Sequence, residues 1–320
     1  MIKTMLNLLY CFDDNYNIQA LTSIYSFLEN TSQKINLFII HKSQQSIDFI
    51  PNKIKNHRNI NDITVKKFHL EKLNFFNIEK SHVSEATFYR IFLEDYLDDS
   101  IEKILYVDCD IICLNNGDTQ INEAIEQLNQ ERAICSASTE FFRDQDESFF
   151  ERISMEGDKY FNAGVMLIDL NLWKKLKIKE KCIKAIDVLK EKAIFWDQDV
   201  LNYCLKGEYC ELSNNLNHRI YKQSSESNFL NNKNIVFIHY SGKSKPWDVG
   251  GINYLGFEIF QKNYRNLFSK KYLINSKNRK RSIKELLQTS RLKTFYKAEF
   301  RFHYFLHSFL AIALNRQKRI

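Results

Sequence analysis

Two carboxylates one residue apart, Asp108-Cys109-Asp110, follow the apolar run Ile104-Leu105-Tyr106-Val107 and precede Ile111-Ile112. On an extended strand residues two apart point the same way, so both acids can converge on one cation. Hard oxygen ligands favour Mn²⁺ or Mg²⁺, which keep positions open for water or substrate phosphates. The same acids could instead end a strand facing solvent or cap the next turn, and the triplet alone does not separate these readings.

Other apolar runs also end in polar groups, the place where open α/β sheets bind ligands. Cys11-Phe12-Asp13-Asp14-Asn15-Tyr16 leaves the first run. Its Asp and Asn can grip a base or ribose while Tyr16 stacks, or Asp13 can cap the helix that follows. Asn162 and Gly164 lead into Val165-Met166-Leu167-Ile168, where the glycine serves either a site or the backbone. Trp196-Asp197-Gln198-Asp199 opens an amphipathic helix, suited to an anion or simply capped by its acids. His239-Tyr240-Ser241-Gly242-Lys243-Ser244-Lys245-Pro246-Trp247 leaves a buried run, and an imidazole with a Gly-Lys-X-Lys loop favours a metal and phosphate site.

The elements that must position these groups read as a mainly parallel α/β sheet flanked by helices. Strands are expected at Met5 to Cys11, Ile35 to His41, Ile63 to Leu70, Ile104 to Cys113, Ala133 to Ser138, Gly164 to Asp169 and Ile235 to Tyr240. Helices are expected at Asn17 to Glu29, Ser84 to Leu97, Leu172 to Lys192 with a break, and Gln198 to Lys206. In the second, Phe88, Ile91, Phe92 and Tyr96 share one α-helical face. A chain of 320 residues, 44% hydrophobic and with no internal repeat, holds one large domain and an appendage. The domains expected are 1–265 and a tail, 266–320.

Seven cysteines without a Cys-X-X-Cys pair argue against a disulfide framework or zinc knuckle and for a reducing, cytoplasmic setting. The N-terminus turns acidic too soon for a signal peptide and reads as a first strand. No run of apolar residues is long enough for a transmembrane helix. From Lys270 the chain carries 14 Lys/Arg against 2 Asp/Glu, so a tail of +12 follows a body of −5 within the total of +7.

Taken together, Tyr106-Val107-Asp108-Cys109-Asp110, Phe161-Asn162-Ala163-Gly164-Val165, Asp197-Gln198-Asp199-Val200-Leu201-Asn202 and His239 to Trp247 resemble, in order, the signatures of family 8 retaining glycosyltransferases. Asp13 to Tyr16 and Arg90 are in register too. Within that family the chain resembles bacterial lipooligosaccharide and lipopolysaccharide α-galactosyl- and α-glucosyltransferases, which share a basic C-terminal tail. The resemblance implies a single nucleotide-binding domain of the GT-A type and transfer of galactose or glucose from a UDP-sugar to a glycan or glycolipid hydroxyl. It implies Mn²⁺, with Mg²⁺ as the alternative, on Asp108, Asp110 and His239. Cys11, Asp13, Asn15 and Tyr16 would surround uracil and ribose, with Cys109 beside them. Gly242 and Lys245 would close over the phosphates, while Arg90, Asn162, Asp197 and Gln198 line the sugar pocket. Asn162, Asp197 and Gln198 are the implied catalytic set, and His82 lies near the acceptor. Cys109 stands where the family has a small or aliphatic residue. The acid expected after Ala133 to Ser138 has two candidate positions, Thr139 and Glu140. Because Gln198 is a neutral amide and a poor nucleophile, same-face attack is favoured over a covalent intermediate.

The tail mixes Asn278-Arg279-Lys280-Arg281 and Lys293, Lys297 and Arg301 with Phe295, Tyr296, Phe300, Phe302, Tyr304, Phe305 and Phe309. Basic and aromatic residues together suit a helix lying on an anionic membrane, placing the protein peripherally on the inner face. Packing on the body is the other reading. On the membrane reading, deletion from about residue 280 should spare UDP-sugar hydrolysis. A net acidic body argues against a nucleic-acid partner. A self- or protein-glycosylating transferase and a non-catalytic UDP-sugar-binding protein remain alternatives. Acceptor choice would lie in loops such as Phe141 to Asp158 and Ser213 to Asn232.

Overall fold

The computed structural model describes residues 5–69, 84–140, 147–155, 159–220, 230–242, 244–276, 278–289, 296 and 299–314. His82, Lys243 and parts of the two acceptor-loop candidates and of the tail lie outside them.

Strands β1 (Met5–Phe12), β2 (Lys34–His41), β3 (Ile60–Lys67), β4 (Lys103–Val107), β6 (Cys135–Thr139), β7 (Phe161–Asp169) and β8 (Cys210–Glu211) form one sheet in the order β3-β2-β1-β4-β7-β6-β8. β1 runs parallel to β2 and β4, whereas β7 is antiparallel to both β4 and β6. A second sheet, β5-β10-β9, joins β5 (Ile111–Cys113), β10 (Phe237–Tyr240) and β9 (His218–Ile220). The expected α/β class with a mixed, mainly parallel sheet is thus observed.

Alternation along the strands sends residues to two cores. Leu8, Tyr10, Phe12, Leu105, Val107 and Leu167 pack under α1 (Asn17–Asn30), above a single turn α2 (Asn52–Lys55), and beside α3 (Asp118–Glu131). Leu9, Cys11, Tyr106, Met166 and Ile168 face the other way. They meet Phe88, Ile91 and Phe92, and helices α6 (Ile178–Leu189) and α7 (Trp196–Leu205), with the short α4 (Glu147–Arg152) and α5 (Leu170–Lys175) between strands. Helix α3 escapes sequence reading because only Ile121 and Leu128 on it are buried.

Three expectations are corrected. The run Ile104 to Cys113 is not one strand: β4 ends at Val107, residues 108–110 turn, with Ile111 N donating to Asp108 O at 3.3 Å, and β5 enters the second sheet. Segment Ser84 to Leu97 winds as a 3₁₀ helix over Glu85–Asp95, capped by Ser84 Oγ on Ala86 N. The tighter winding brings Thr87 and Arg90, three apart, onto one face. Strand β3 begins three residues earlier than expected, at Ile60, paired to Ile35.

Helix α8 (Phe257–Phe268) runs through the expected 265/266 boundary. Helices α9 (Arg279–Thr289) and α10 (Arg301–Ala313) place Leu286, Tyr304, Ala311 and Ile312 in a third core with Trp247, Phe257 and Phe260. The described part of the tail therefore packs on the body through one face, burying Tyr304 and leaving Phe302, Phe305 and Phe309 exposed.

Candidate active site

The carboxyl ends of β1, β4 and β6 and the amino end of the antiparallel β7 lie along one edge of the large sheet, and the polar residues gather there. The 108–110 turn is held from two sides. Asp108 N donates to Gly164 O at 2.8 Å, and Tyr240 N donates to Asp110 O at 3.0 Å. His239, paired with Ile111 across β10 and β5, is thereby set beside the turn. Ligand atoms of Asp108, Asp110 and His239 all lie within 4.8 Å of one another.

The residues themselves suit a divalent cation. Asp110 Oδ1 is buried without a hydrogen-bond partner, 3.4 Å from His239 Nε2, a costly state unless a positive charge sits nearby. Burial lowers the His239 pKa despite the two acids, which keeps the ring neutral. Burial pushes the Asp110 carboxyl up, but Lys245 outweighs it and holds the pKa below the ordinary value. Asp108 goes the other way: burial and Asp110 raise it more than Arg90 lowers it.

Lys245, itself buried, donates from Nζ to Asp110 Oδ2 and to Tyr240 O, both at 2.6 Å. Arg90, also buried, spans Asp108 at 2.9 Å from Nη2 and Asp197 at 2.9 Å from Nε. Its guanidinium also donates to Ala163 O and lies 4.0 Å over the Tyr106 ring. Arg90 is thus a clamp between the half-buried Asp108 and the buried Asp197, not a free donor lining an open pocket. Asp197 Oδ1 accepts from Thr87 Oγ1, its Oδ2 meets Arg90 as an ion pair without a hydrogen bond, and burial raises its pKa against Arg90.

A relay of amides joins this cluster to the rest of the edge, and two backbone groups of β7 set its direction. Gly164 N donates to Asn162 Oδ1 at 3.0 Å, so the Asn217 group facing that oxygen at 2.9 Å must be its Nδ2. Asn217 Oδ1 then faces His239 Nδ1 at 2.9 Å, which places the ring proton there and turns the Nε2 lone pair toward the acids. On the other side Ala163 N donates to Gln198 Oε1 at 3.1 Å, as does Asn162 Nδ2 at 3.2 Å. Gln198 Nε2 therefore points to Tyr160 OH at 3.2 Å, whose proton goes to buried Asp199 at 2.8 Å. Asp199 in turn is gripped by Arg152 at 2.9 and 3.1 Å. Asn202 fastens α7 to β7 by bonding both Phe161 N and Phe161 O.

Glu140 is the acid that reaches this network, accepting from Asn162 Nδ2 at 2.9 Å, while Thr139 turns to Tyr209 and Glu211. Gln198 and Glu140 are half-buried, so they and Asn162 present polar atoms at the edge. Asp13 caps the Asp14–Tyr16 turn through Asn15 N at 2.9 Å and also accepts from Ser84 Oγ at 2.7 Å. Asn15 is exposed and Tyr16 half-buried beside it. Cys11 and Cys109 are both buried, and the Cys109 thiol points to Cys11 O. Gly242 takes φ +86°, a left-handed turn directly after β10. Asn217 has no signature in the sequence: it lies in a loop, between Leu216 and β9, and only the fold brings it to His239.

Gly164 resolves the choice left open for it. Its Cβ would stand 2.5 Å from His239 Cε1 and 2.8 Å from Nδ1, so the glycine exists for close approach of the imidazole. Gly164→Ala is expected to push the ring off the acids, weakening divalent-cation affinity about tenfold and costing about 1–3 kcal/mol of stability. Calorimetric metal titration and urea unfolding check both; wild-type cation affinity in the variant would refute the close-approach role.

Comparison with known proteins adds to this geometry. The family model described as "Glycosyl transferase family 8" matches residues 7–250. A Haemophilus influenzae protein named as a glycosyltransferase is 30% identical over 250 residues, covering 76% of this chain and 73% of its own length. A lipopolysaccharide 1,2-glucosyltransferase of Escherichia coli is 29% identical over 280 residues, covering 81% of this chain and 77% of that one. The crystal structure of the galactosyltransferase LgtC with donor and acceptor sugar analogs superposes with a TM-score of 0.62 at 22% identity, covering 83% of this chain and 96% of that chain, a likeness of fold.

Proposed function

The chain belongs to glycosyl transferase family 8 and has the GT-A fold, and from this we propose that it transfers galactose or glucose from a UDP-sugar to a hydroxyl of a lipopolysaccharide-type glycan, retaining the α configuration. The observation that carries the reading is the convergence of Asp108, Asp110, His239 and Lys245 on one point at the sheet edge, next to Asn162 and Gln198. Asp108, Asp110 and His239 would hold Mn²⁺, or Mg²⁺, which when bound supplies positive charge to the departing diphosphate.

The chain's own groups account for the rest. Lys245 exchanges Asp110 for the diphosphate and opposes charge that grows as the bond to the sugar breaks, so its effect is larger in the transition state. Gly242 lets the backbone fold over the phosphates. Asp13, Asn15 and Tyr16 offer polar and aromatic surface for ribose and base. Gln198, Asn162 and Glu140 face the sugar, whose carbon gains positive character. Asp197 acts through Arg90, which holds it and Asp108 in place. Gln198 Oε1 is already engaged by two donors, which supports attack by the acceptor on the face UDP leaves over a covalent adduct.

Hydrolysis of UDP-glucose, UDP-galactose and UDP-N-acetylglucosamine with Mn²⁺ tests the reading. One of the two hexose donors is expected to turn over and EDTA to stop it. Turnover untouched by EDTA would remove the metal role, and no turnover of any donor would remove the function.

The outer face of the tail supports an attachment site. No helix among the described residues is long and apolar enough to cross a membrane. Yet α10 leaves Phe302 77% and Phe309 57% exposed, with Phe305 and Leu306 beside them, and α9 exposes Leu287 among Arg279, Lys280 and Lys284. This basic, aromatic surface suits the anionic cytoplasmic face of a membrane, where a glycolipid acceptor would be met. Flotation with phosphatidylglycerol vesicles, lost on Phe302→Ser with Phe309→Ser, is the expected result; equal flotation of the double variant would exclude this face.

A further inference from the structure

The face of the tail turned toward the body grips the turn that carries Lys245. That turn is wound tightly on itself: Lys245 N donates to Asp248 Oδ2 at 3.0 Å and Gly251 N to Asp248 O at 2.7 Å. At Gly251 a Cβ would lie 2.5 Å from Pro246 O, so the two ends of the 245–251 turn pack directly against each other. On the body side Gln261 of α8 donates to Pro246 O at 3.1 Å.

The body also holds it through Lys245 Nζ on Asp110 and Tyr240 O and through the Trp247 ring on Phe260, and a further set of holds comes from beyond residue 270. Val249 N donates to Asn275 O at 3.0 Å and Asn275 N to Trp247 O at 2.7 Å. Gly250 N, on a residue at φ +90°, donates to the buried Tyr304 OH at 3.1 Å. Arg281 Nη2 donates to Ser244 Oγ at 3.1 Å, its Nε being fixed by Glu285 at 3.0 Å.

We propose that Tyr304 and Arg281 are positioning residues for the donor, fixing through Gly250 and Ser244 the turn from which Lys245 reaches the diphosphate. The argument rests on the reading of Lys245 given above. A backbone N–H such as that of Gly250 finds no substitute acceptor inside a buried seam, so losing the phenol oxygen frees that end of the turn. Asp248 connects that end to Lys245 N, and displacement is passed to the ammonium. Deletion from residue 280 would then impair turnover as well as attachment, contrary to the expectation of a dispensable anchor.

The test uses the full chain with Tyr304→Phe and Arg281→Ala combined, the phenylalanine preserving the packed ring. UDP affinity with Mn²⁺ is measured by calorimetry, beside steady-state kinetics and thermal unfolding. Loss of two such bonds should raise the UDP Kd and the donor KM about tenfold. The acceptor KM should stay within about twofold and Tm near that of the wild type, while kcat falls severalfold because Lys245 acts most strongly in the transition state, and Arg281→Lys should recover part of the loss. Unchanged donor KM and UDP Kd, with wild type binding UDP normally, overturns the proposal alone. So does a fall in Tm with all kinetic constants worsening together, which marks general damage. Failure of wild type itself to bind UDP overturns the donor reading, and this proposal with it.

Discussion

Asp110→Asn is expected to lower turnover of the accepted UDP-hexose about a hundredfold or more, with the protein still folded. Asparagine matches aspartate in shape and can still accept from Lys245 Nζ, so the 108–110 turn survives. What disappears is the charge. Burial raises this carboxyl's pKa but Lys245 outweighs it and holds the pKa below its ordinary value, so at neutral pH it is an anion beside a cation and a neutral imidazole. The amide presents a neutral oxygen, and its other position becomes an N–H₂ group that cannot ligate. Kinetics with saturating Mn²⁺ and calorimetric Mn²⁺ titration give the answer. A variant with near-normal turnover and metal affinity would show that the cluster does not hold the catalytic ion.

Lys245→Met should lower turnover by a similar factor, about a hundredfold, as expected on losing one donor aimed at developing negative charge. Its effect on metal affinity has the opposite sign from that of Asp110→Asn. The lysine ammonium rests on Asp110 Oδ2, so it competes with any cation for that carboxylate. Removing it should leave Mn²⁺ affinity equal or higher. Without metal, Asp110 is left without its closest counter-charge, which costs about 3 kcal/mol, and added Mn²⁺ should restore that stability. Unfolding with and without Mn²⁺ separates the effects; weakened Mn²⁺ binding would mean that Lys245 supports the site instead of competing for it.

Much of this site was legible because its residues end apolar runs, and apolar runs become strands whose ends meet at one edge. Asp108 and Asp110 do converge on a point, but for a different geometric reason from the one their spacing suggests. A strand of ten residues was expected, whereas the acids occupy the turn between two sheets, and a period-two argument does not apply to a turn. Arg90 was recognised by position, yet its engagement by two acids follows only from packing, since Asp108 and Asp197 are distant in sequence. The 3₁₀ winding of Glu85–Asp95 was missed because apolar spacing fits an α-helix equally well and only Thr87 and Arg90 distinguish them. Asn217 was invisible because a single asparagine in a loop carries no periodicity, and its partners come from β7 and β10.

The amide relay has a consequence for titration. Between His239 and Asp199 every linking group is an amide, a phenol or a backbone N–H, none of which gains or loses a proton near neutrality. Its direction is set by Ala163 and Gly164, which cannot be protonated away. The orientation of Gln198 and of the Nδ1 proton is therefore not switched by the relay itself, and whatever pH dependence catalysis has must arise at the imidazole, carboxylates and cations around it, not in the wiring between them.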